Sequence, residues 1–288
     1  MYDRILVPVD GSAPAERAVG YGGLLAEAYD AELELLHVLA GERDADGEAG
    51  HESRGERGRA VLAAAAERLG DRVAVETHLS EGVPHRAISE RVAASEADLV
   101  VMGRRGRAGL GEGLLGSVTE RVVVGVDAPV LVVPGSAEPV REGFSTVLLP
   151  TDGSENAEAA TDHAVDLARQ FGARLHVATV VDVDSAGGLF GSGGVTDDIV
   201  DRLEASGSEA VSRMVDAVRE RDPDLDPATA VVRGMPHEGI RDYVTAHDVD
   251  LVTMGSRGRS DIERQLFGSV TKRVLRVVDV PVLVVRGE

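Results

Sequence analysis

Short apolar runs alternate with longer amphipathic stretches along the first half of the chain. RILVPV (4–9), ELELLHV (32–38), RVAVETHL (72–79), DLVVM (98–102) and PVLVV (129–133) are rich in Val and Leu and have strand length. Between them, helical spacing of apolar positions covers 13–29, about 53–70, 84–95 and 117–126. Strand–helix alternation of this kind predicts a parallel sheet covered by helices on both faces. Right-handed crossovers then place a ligand crevice at the carboxyl ends of the strands, where the strand order reverses.

The pattern is written twice. RILVPVDGS (4–12) returns as TVLLPTDGS (146–154), at an offset of 142. DLVVMGRRGR (98–107) returns as DLVTMGSRGR (250–259), at an offset of 152, so the second copy holds about ten more residues between these landmarks. Over 98–133 and 250–285, 22 of 36 positions are identical. Two copies are a duplicated domain rather than a solenoid. The reading is two tandem α/β open-sheet domains, 1–135 and 144–288, joined by a Pro/Gly/charged linker at 136–143. Each is expected to be a five-stranded parallel sheet of order 3-2-1-4-5, with the switch between strands 1 and 4. The segments after strand 2, 41–58 and 184–195, are polar or glycine-rich and read as loops.

Two glycine patterns compete for a ligand. Gly111 to Gly116 spells G-x-G-x-x-G, but the preceding strand ends near Met102, and the second copy reads ERQLFG at 263–268. A dinucleotide turn must follow its strand directly, so this spelling is a decoy. The other pattern recurs intact: Gly103, Gly106 and Gly116-Ser117 return as Gly255, Gly258 and Gly268-Ser269. Its first two glycines would let a ligand approach the backbone, and its Gly-Ser opens a helix whose amides favour an anion. Ser117 and Ser269 could give a hydroxyl to that anion or cap the helix; Ser117 to Glu120 also spells a capping box. Arg105 and Arg107 recur as Arg257 and Arg259 and suit phosphate, or could offset nearby carboxylates. Asp10 and Asp152 could accept ribose or adenine hydrogen bonds, or hold an Asx-turn.

Composition narrows the function. The formal net charge is −20, with Lys272 the single lysine, which disfavours nucleic acid and anionic membrane. Aromatics are 3%, too few for base-stacking platforms. There is no cysteine, hence no disulfide or thiolate metal site. No apolar run approaches a membrane span, and MYDRILVPVDGS lacks a signal-peptide core, so a soluble, cytoplasmic protein is expected. The acidity fits a molar-salt, halophilic cytoplasm, where the Debye length is about 3 Å. No P-loop, metal-ligand spacing or catalytic constellation is present, so no enzyme is expected beyond slow ATP hydrolysis. His85 and His237, in GVPH and GMPH, each follow a proline that opens a helix and read as helix-terminal histidines.

With these motifs in order twice, both halves resemble the universal stress protein family, and the glycine spacing resembles its ATP-binding branch. The resemblance implies the adenine nucleotide α-hydrolase-like fold and one nucleotide site per half. In the first half it implies Pro8, Val9, Asp10, Val38, Met102 and Gly103 for the adenosine part, with Arg105, Gly106, Gly116, Ser117, Val118 and Thr119 at the phosphates. In the second it implies Pro150, Thr151, Asp152, Val180, Met254, Gly255, Arg257, Gly258, Gly268, Ser269, Val270 and Thr271. ATP, ADP or AMP would be the cofactor, with room for Mg2+ at the phosphates. The family also pairs domains through the last strand, so 129–133 and 281–285 could make an intramolecular pseudo-dimer, with a further homodimer conceivable. The alternatives are a stress-response regulator that binds ATP, a nucleotide-free dimerisation scaffold and a slow ATP hydrolase.

Overall fold

The computed structural model describes residues 1–41, 47–106, 114–138, 142–183, 197–256 and 267–287. The chain divides into two compact units, Met1–Gly143 and Phe144–Glu288. In the first, β1 (Arg4–Pro8), α1 (Ala13–Tyr29), β2 (Glu32–Leu39), α2 (Gly47–Leu69), β3 (Val75–Glu81), α3 (Pro84–Ser95), β4 (Leu99–Gly103), α4 (Ser117–Gly125) and β5 (Val130–Val133) alternate. All pairings are parallel, as the strand–helix alternation predicts, and the order is the expected β3-β2-β1-β4-β5. Helices α1 and α2 pack on one face, α3 and α4 on the other.

The second unit repeats this plan with β6 (Thr146–Pro150), β7 (Arg174–Val181), β8 (Ala228–Arg233), β9 (Leu251–Gly255) and β10 (Val282–Val285), ordered β8-β7-β6-β9-β10. Where α1 is continuous, the second unit has α5 (Glu155–Glu158) and then α6 (Thr161–Phe171). There Thr161 is fully buried and donates its hydroxyl to Met214 Sδ on α7 (Asp197–Arg221). Helices α8 (Pro236–Ala246) and α9 (Ser269–Val277) complete it.

Each central strand is apolar on both faces because helices cover both: Ile5, Leu6, Val7, Val100 and Val101 have no solvent exposure, nor have Val147, Leu148 and Leu149. The aspartate that opens each fourth strand clamps the start of the first. Asp98 Oδ2 accepts the amides of Asp3 and Arg4, and Asp250 Oδ2 those of Ser145 and Thr146. That recurrence is structural, at the end of the sheet opposite the crevice.

Two sequence boundaries shift. Strand β3 begins at Val75, because 70–72 form a single 3-10 turn. Helix α2 begins at Gly47, inside the stretch read as loop; Glu, Ala and Arg there favour helix without any apolar period to announce it. The linker is partly docked: Arg17 Nε donates to the Ala137 carbonyl and Tyr21 Oη to that of Glu138. The loop reading of 184–195 lies outside the described residues, as do Gly111 to Gly113 of the decoy.

Candidate functional site

The turn after the first strand is built alike in both halves, and each letter of D-G-S has a structural task. Asp10 Oδ1 accepts the Ser12 amide at 3.0 Å, and Asp152 Oδ1 the Ser154 amide at 3.0 Å. Gly11 and Gly153 take φ of 74° and 73°, left-handed values that a side chain disfavours. Ser12 and Ser154 then cap the next helix, accepting from Ala15 and Ala157. The Asx-turn is therefore real, and it fixes the aspartate at the crevice mouth. A Cβ on Gly106 would collide with Oδ2 of Asp10.

The glycines divide differently from the sequence expectation. Gly103 and Gly255 do not open the backbone to a ligand. Their missing Cβ faces the first turn of the helix that follows the first strand of each half, α1 or α5, 2.8 Å from the carbonyl carbons of Pro14 and Asn156 respectively. Packing requires these glycines, although both residues still line a cavity. Gly116 and Gly268 close their loops by donating to the Arg104 and Ser256 carbonyls, each at 2.9 Å. A Cβ on Gly116 would lie 3.1 Å from that carbonyl oxygen.

The caps also need correction. Gly116 and Gly268 are the N-cap residues, with no side-chain cap bond, so Ser117 and Ser269 stand inside the first turn. Glu120 is therefore one residue too far along for the capping box. Thr119 and Thr271 turn inward, donating to the carbonyls of Gly103 and Gly255 at 3.0 and 2.9 Å. What remains toward the crevice is the first-turn amides and the exposed Ser117 and Ser269.

These parts enclose a cavity in each unit, at the carboxyl ends of the strands. The first has a volume of about 570 Å³ and is lined by all twelve residues expected there. The second, about 200 Å³, is lined by ten of its twelve. Arg257 and Gly258 lie outside the described residues, as do Arg107 and Arg259. Apolar side chains form most of both linings, with polar groups gathered at the helix N-terminus and the aspartate.

Sequence reasoning missed part of each wall. Pro84 and Ile88 of α3 line the first cavity, and Pro236 and Ile240 of α8 the second. The two walls correspond in sequence, GVPHRAI with GMPHEGI, but recurrence alone does not separate a cavity wall from a core position. His85 is half-buried beside Arg121, and burial, then Arg121 and Arg86, hold its imidazole below the ordinary range. His37 was also missed: its Nδ1 meets the Val9 carbonyl at 2.7 Å. Thr179 occupies that place in the second half. Among the described residues, no group of three or more His, Asp or Glu could hold a metal, and no helix is long and apolar enough to cross a membrane.

Comparison with known proteins agrees with this architecture. The profile of the universal stress protein family matches residues 1–134 and again 143–286. A universal stress protein of Mycolicibacterium smegmatis is 32% identical over 298 aligned positions, covering 98% of this chain and 96% of that one. A crystal structure of a universal stress protein from Archaeoglobus fulgidus superimposes with a TM-score of 0.73 at 23% identity, covering 99% of both chains, a likeness of fold. A universal stress protein solved in complex with cAMP is 29% identical and covers 46% of this chain and 97% of its own. Its TM-score of 0.39 is too low to bear on the ligand here. The chain belongs to the universal stress protein family and carries the family's domain twice.

Proposed function

We propose that the protein binds an adenine nucleotide in each half, more tightly in the first, and acts as a stress-response module through occupancy rather than turnover. The observation that carries this reading is the first cavity, where apolar walls and anion-binding groups converge on one space of about 570 Å³. Val38, Pro84 and Ile88 offer a slot for a flat ring, Asp10 an acceptor for ribose hydroxyls, and Arg105 with the α4 amides a cradle for phosphates. The second cavity, at about 200 Å³, supports weaker binding of the same kind. ATP, ADP and AMP share the groups this cradle would recognise, and Mg2+ would accompany the phosphates rather than occupy a cage of carboxylates.

Phosphoryl transfer needs an in-line water and a group to position it. Thr119 Oγ1 and Asp10 Oδ1 are committed to loop and turn, which favours affinity over rate. The nucleotide then shifts the protein toward whichever arrangement binds it. The test is equilibrium dialysis against labelled ATP with phosphate release followed in parallel, in molar salt with magnesium. Binding with release at or below about one per minute fits the proposal. Turnover near the enzyme median of about 10 per second, abolished by Asp10→Ala with Asp152→Ala, would replace it with an ATP hydrolase.

A further inference from the structure

The helix that walls each cavity is tied to the second strand of its sheet by different chemistry in the two halves. Ile88 and Ile240 face the cavities, and three residues on, Arg91 and Tyr243 reach the neighbouring strand. In the first half, Arg91 Nε donates to the carboxylate of Glu34, whose side chain is 3% exposed. In the second, the corresponding pair is His176 and Tyr243, with His176 Nδ1 3.0 Å from the Tyr243 hydroxyl. The Tyr243 ring lies on that of His247, centroids 4.1 Å apart. His176 shares its side of β7 with Ala178 and Val180, which line the second cavity.

We propose that the His176–Tyr243 contact is a proton-sensitive latch on the wall of the second cavity, so that acid loosens that site and leaves the first closed. Its role in ligand control rests on the nucleotide reading above; the latch itself does not.

Burial holds the Tyr243 phenol above its usual range, so it keeps its O–H, which can donate to Nδ1 of the neutral His176 ring. Protonation puts a hydrogen on Nδ1, so the phenol O–H must turn away and its oxygen accept instead, while the ring takes on a charge that its surroundings disfavour. The new imidazolium meets positive charge. Arg174 lies on its own strand, and the His247 ring is 5.7 Å away at the end of α8. On the flanking strands, Leu148 and Ala228 stand at the paired positions and bring no charge. Helix α9, packed on α8, carries Lys272, Arg273 and Arg276. Of the carboxylates nearby in sequence, Glu238 is in the first turn of α8, Asp242 is bonded to Arg241, Asp248 follows His247 in a left-handed turn, and Asp250 holds the amides of Ser145 and Thr146.

Burial, then His247 and Arg174, lower the His176 pKa from 6.5. The sign follows: with the folded value depressed, the latch holds above about pH 6.5 and is lost as pH falls below it. Histidine is the side chain whose ordinary charge change lies between pH 5 and 8, and the Glu34–Arg91 tie contains none. His37 in the first cavity can donate Nδ1–H to the Val9 carbonyl in either charge state, so acid leaves that contact intact.

The experiment is amide hydrogen exchange on the full chain without nucleotide, at pH 7.5 and 5.5, corrected for intrinsic exchange. Protection of 236–246 should fall roughly fivefold relative to 84–95 as the His176 ring takes up its charge. His176→Glu with Tyr243→Arg, the first half's own pair, should abolish the response. Should that variant not fold, His176→Gln keeps a neutral acceptor and should do the same. Protection of 236–246 that tracks 84–95 at both pH values would overturn the latch, whatever ATP does. If 236–246 loosens in acid while ATP binds at neither pH, the latch stands and the nucleotide reading fails.

Discussion

The turn after the first strand and the helix tie behind the cavity diverge in opposite ways between the two halves. The turn keeps its three defining features in both halves, aspartate oxygen to serine amide at 3.0 Å, glycine at φ near 74° and serine as helix cap, while the second half adds Thr151 Oγ1 accepting the Gly153 amide and Ser154 Oγ donating to Asp152 Oδ1. The tie keeps only its position, as an ion pair in one half and a neutral imidazole–phenol contact in the other. Backbone geometry has few solutions, because only certain residues supply a left-handed φ, an Asx acceptor and a cap together. Adhesion between a helix and a strand has many. Identity between the halves therefore marks places where conformation is demanded, and difference marks places free to be tuned.

The largest effect should come from breaking the charged tie. Arg91→Leu leaves the Glu34 carboxylate buried without its partner and should lower stability by about 3 kcal/mol at neutral pH. Tyr243→Leu removes only a neutral hydrogen bond and part of a ring stack, and should cost roughly 1–2 kcal/mol. Urea midpoints by circular dichroism on the full chain compare them. Equal losses would show that the two ties are energetically alike and remove the contrast.

A smaller effect, of opposite sign, is expected in the core of the second sheet. Thr253 has no exposure, and among the described residues its hydroxyl has no hydrogen-bond partner. The first half carries Val101 at this position. Thr253→Val should raise stability by about 1 kcal/mol, read as a higher urea midpoint. A lower midpoint would mean that the hydroxyl is satisfied in solution.

The strands, the duplicated unit and the helices with apolar faces were legible, because burial on one or both sides imposes a pattern on the sequence, whereas the sheet order was an expectation that no period dictates. Helix α2 was partly hidden, since its first turns are charged and carry no period. The candidate site was legible as a set of positions and less so as a set of tasks. Gly103 and Ser117 illustrate the limit: spacing put both at the cavity, yet packing against Pro14 and a cap at Gly116 decide what each does. Ile88, Ile240 and His37 were invisible as site residues, because a wall residue looks like any core residue until the fold brings it to the crevice.

The smallest predicted change sharpens the comparison at the phosphate end. Lys272 stands in the α9 turn where the first half has Glu120. Near a helix N-terminus a cation opposes the dipole by roughly 0.3–1 kcal/mol unless an anion sits there. Lys272→Glu should therefore weaken ATP binding in the second half about two- to fivefold and spare the first. Unchanged affinity at the second site would remove Lys272 from the account.

The central claim, one nucleotide site in each half, is tested most directly by calorimetric titration of the full chain with ATP in molar salt, beside Gly116→Val. The added side chain would press on the Arg104 carbonyl and the Arg105 Cα, 3.1 and 3.3 Å from its Cβ, and break the first cradle. The account predicts two ATP per chain with unequal affinities, and in the folded variant one ATP per chain, bound with the weaker affinity. A variant that still binds two, or a parent chain that binds none, would contradict it.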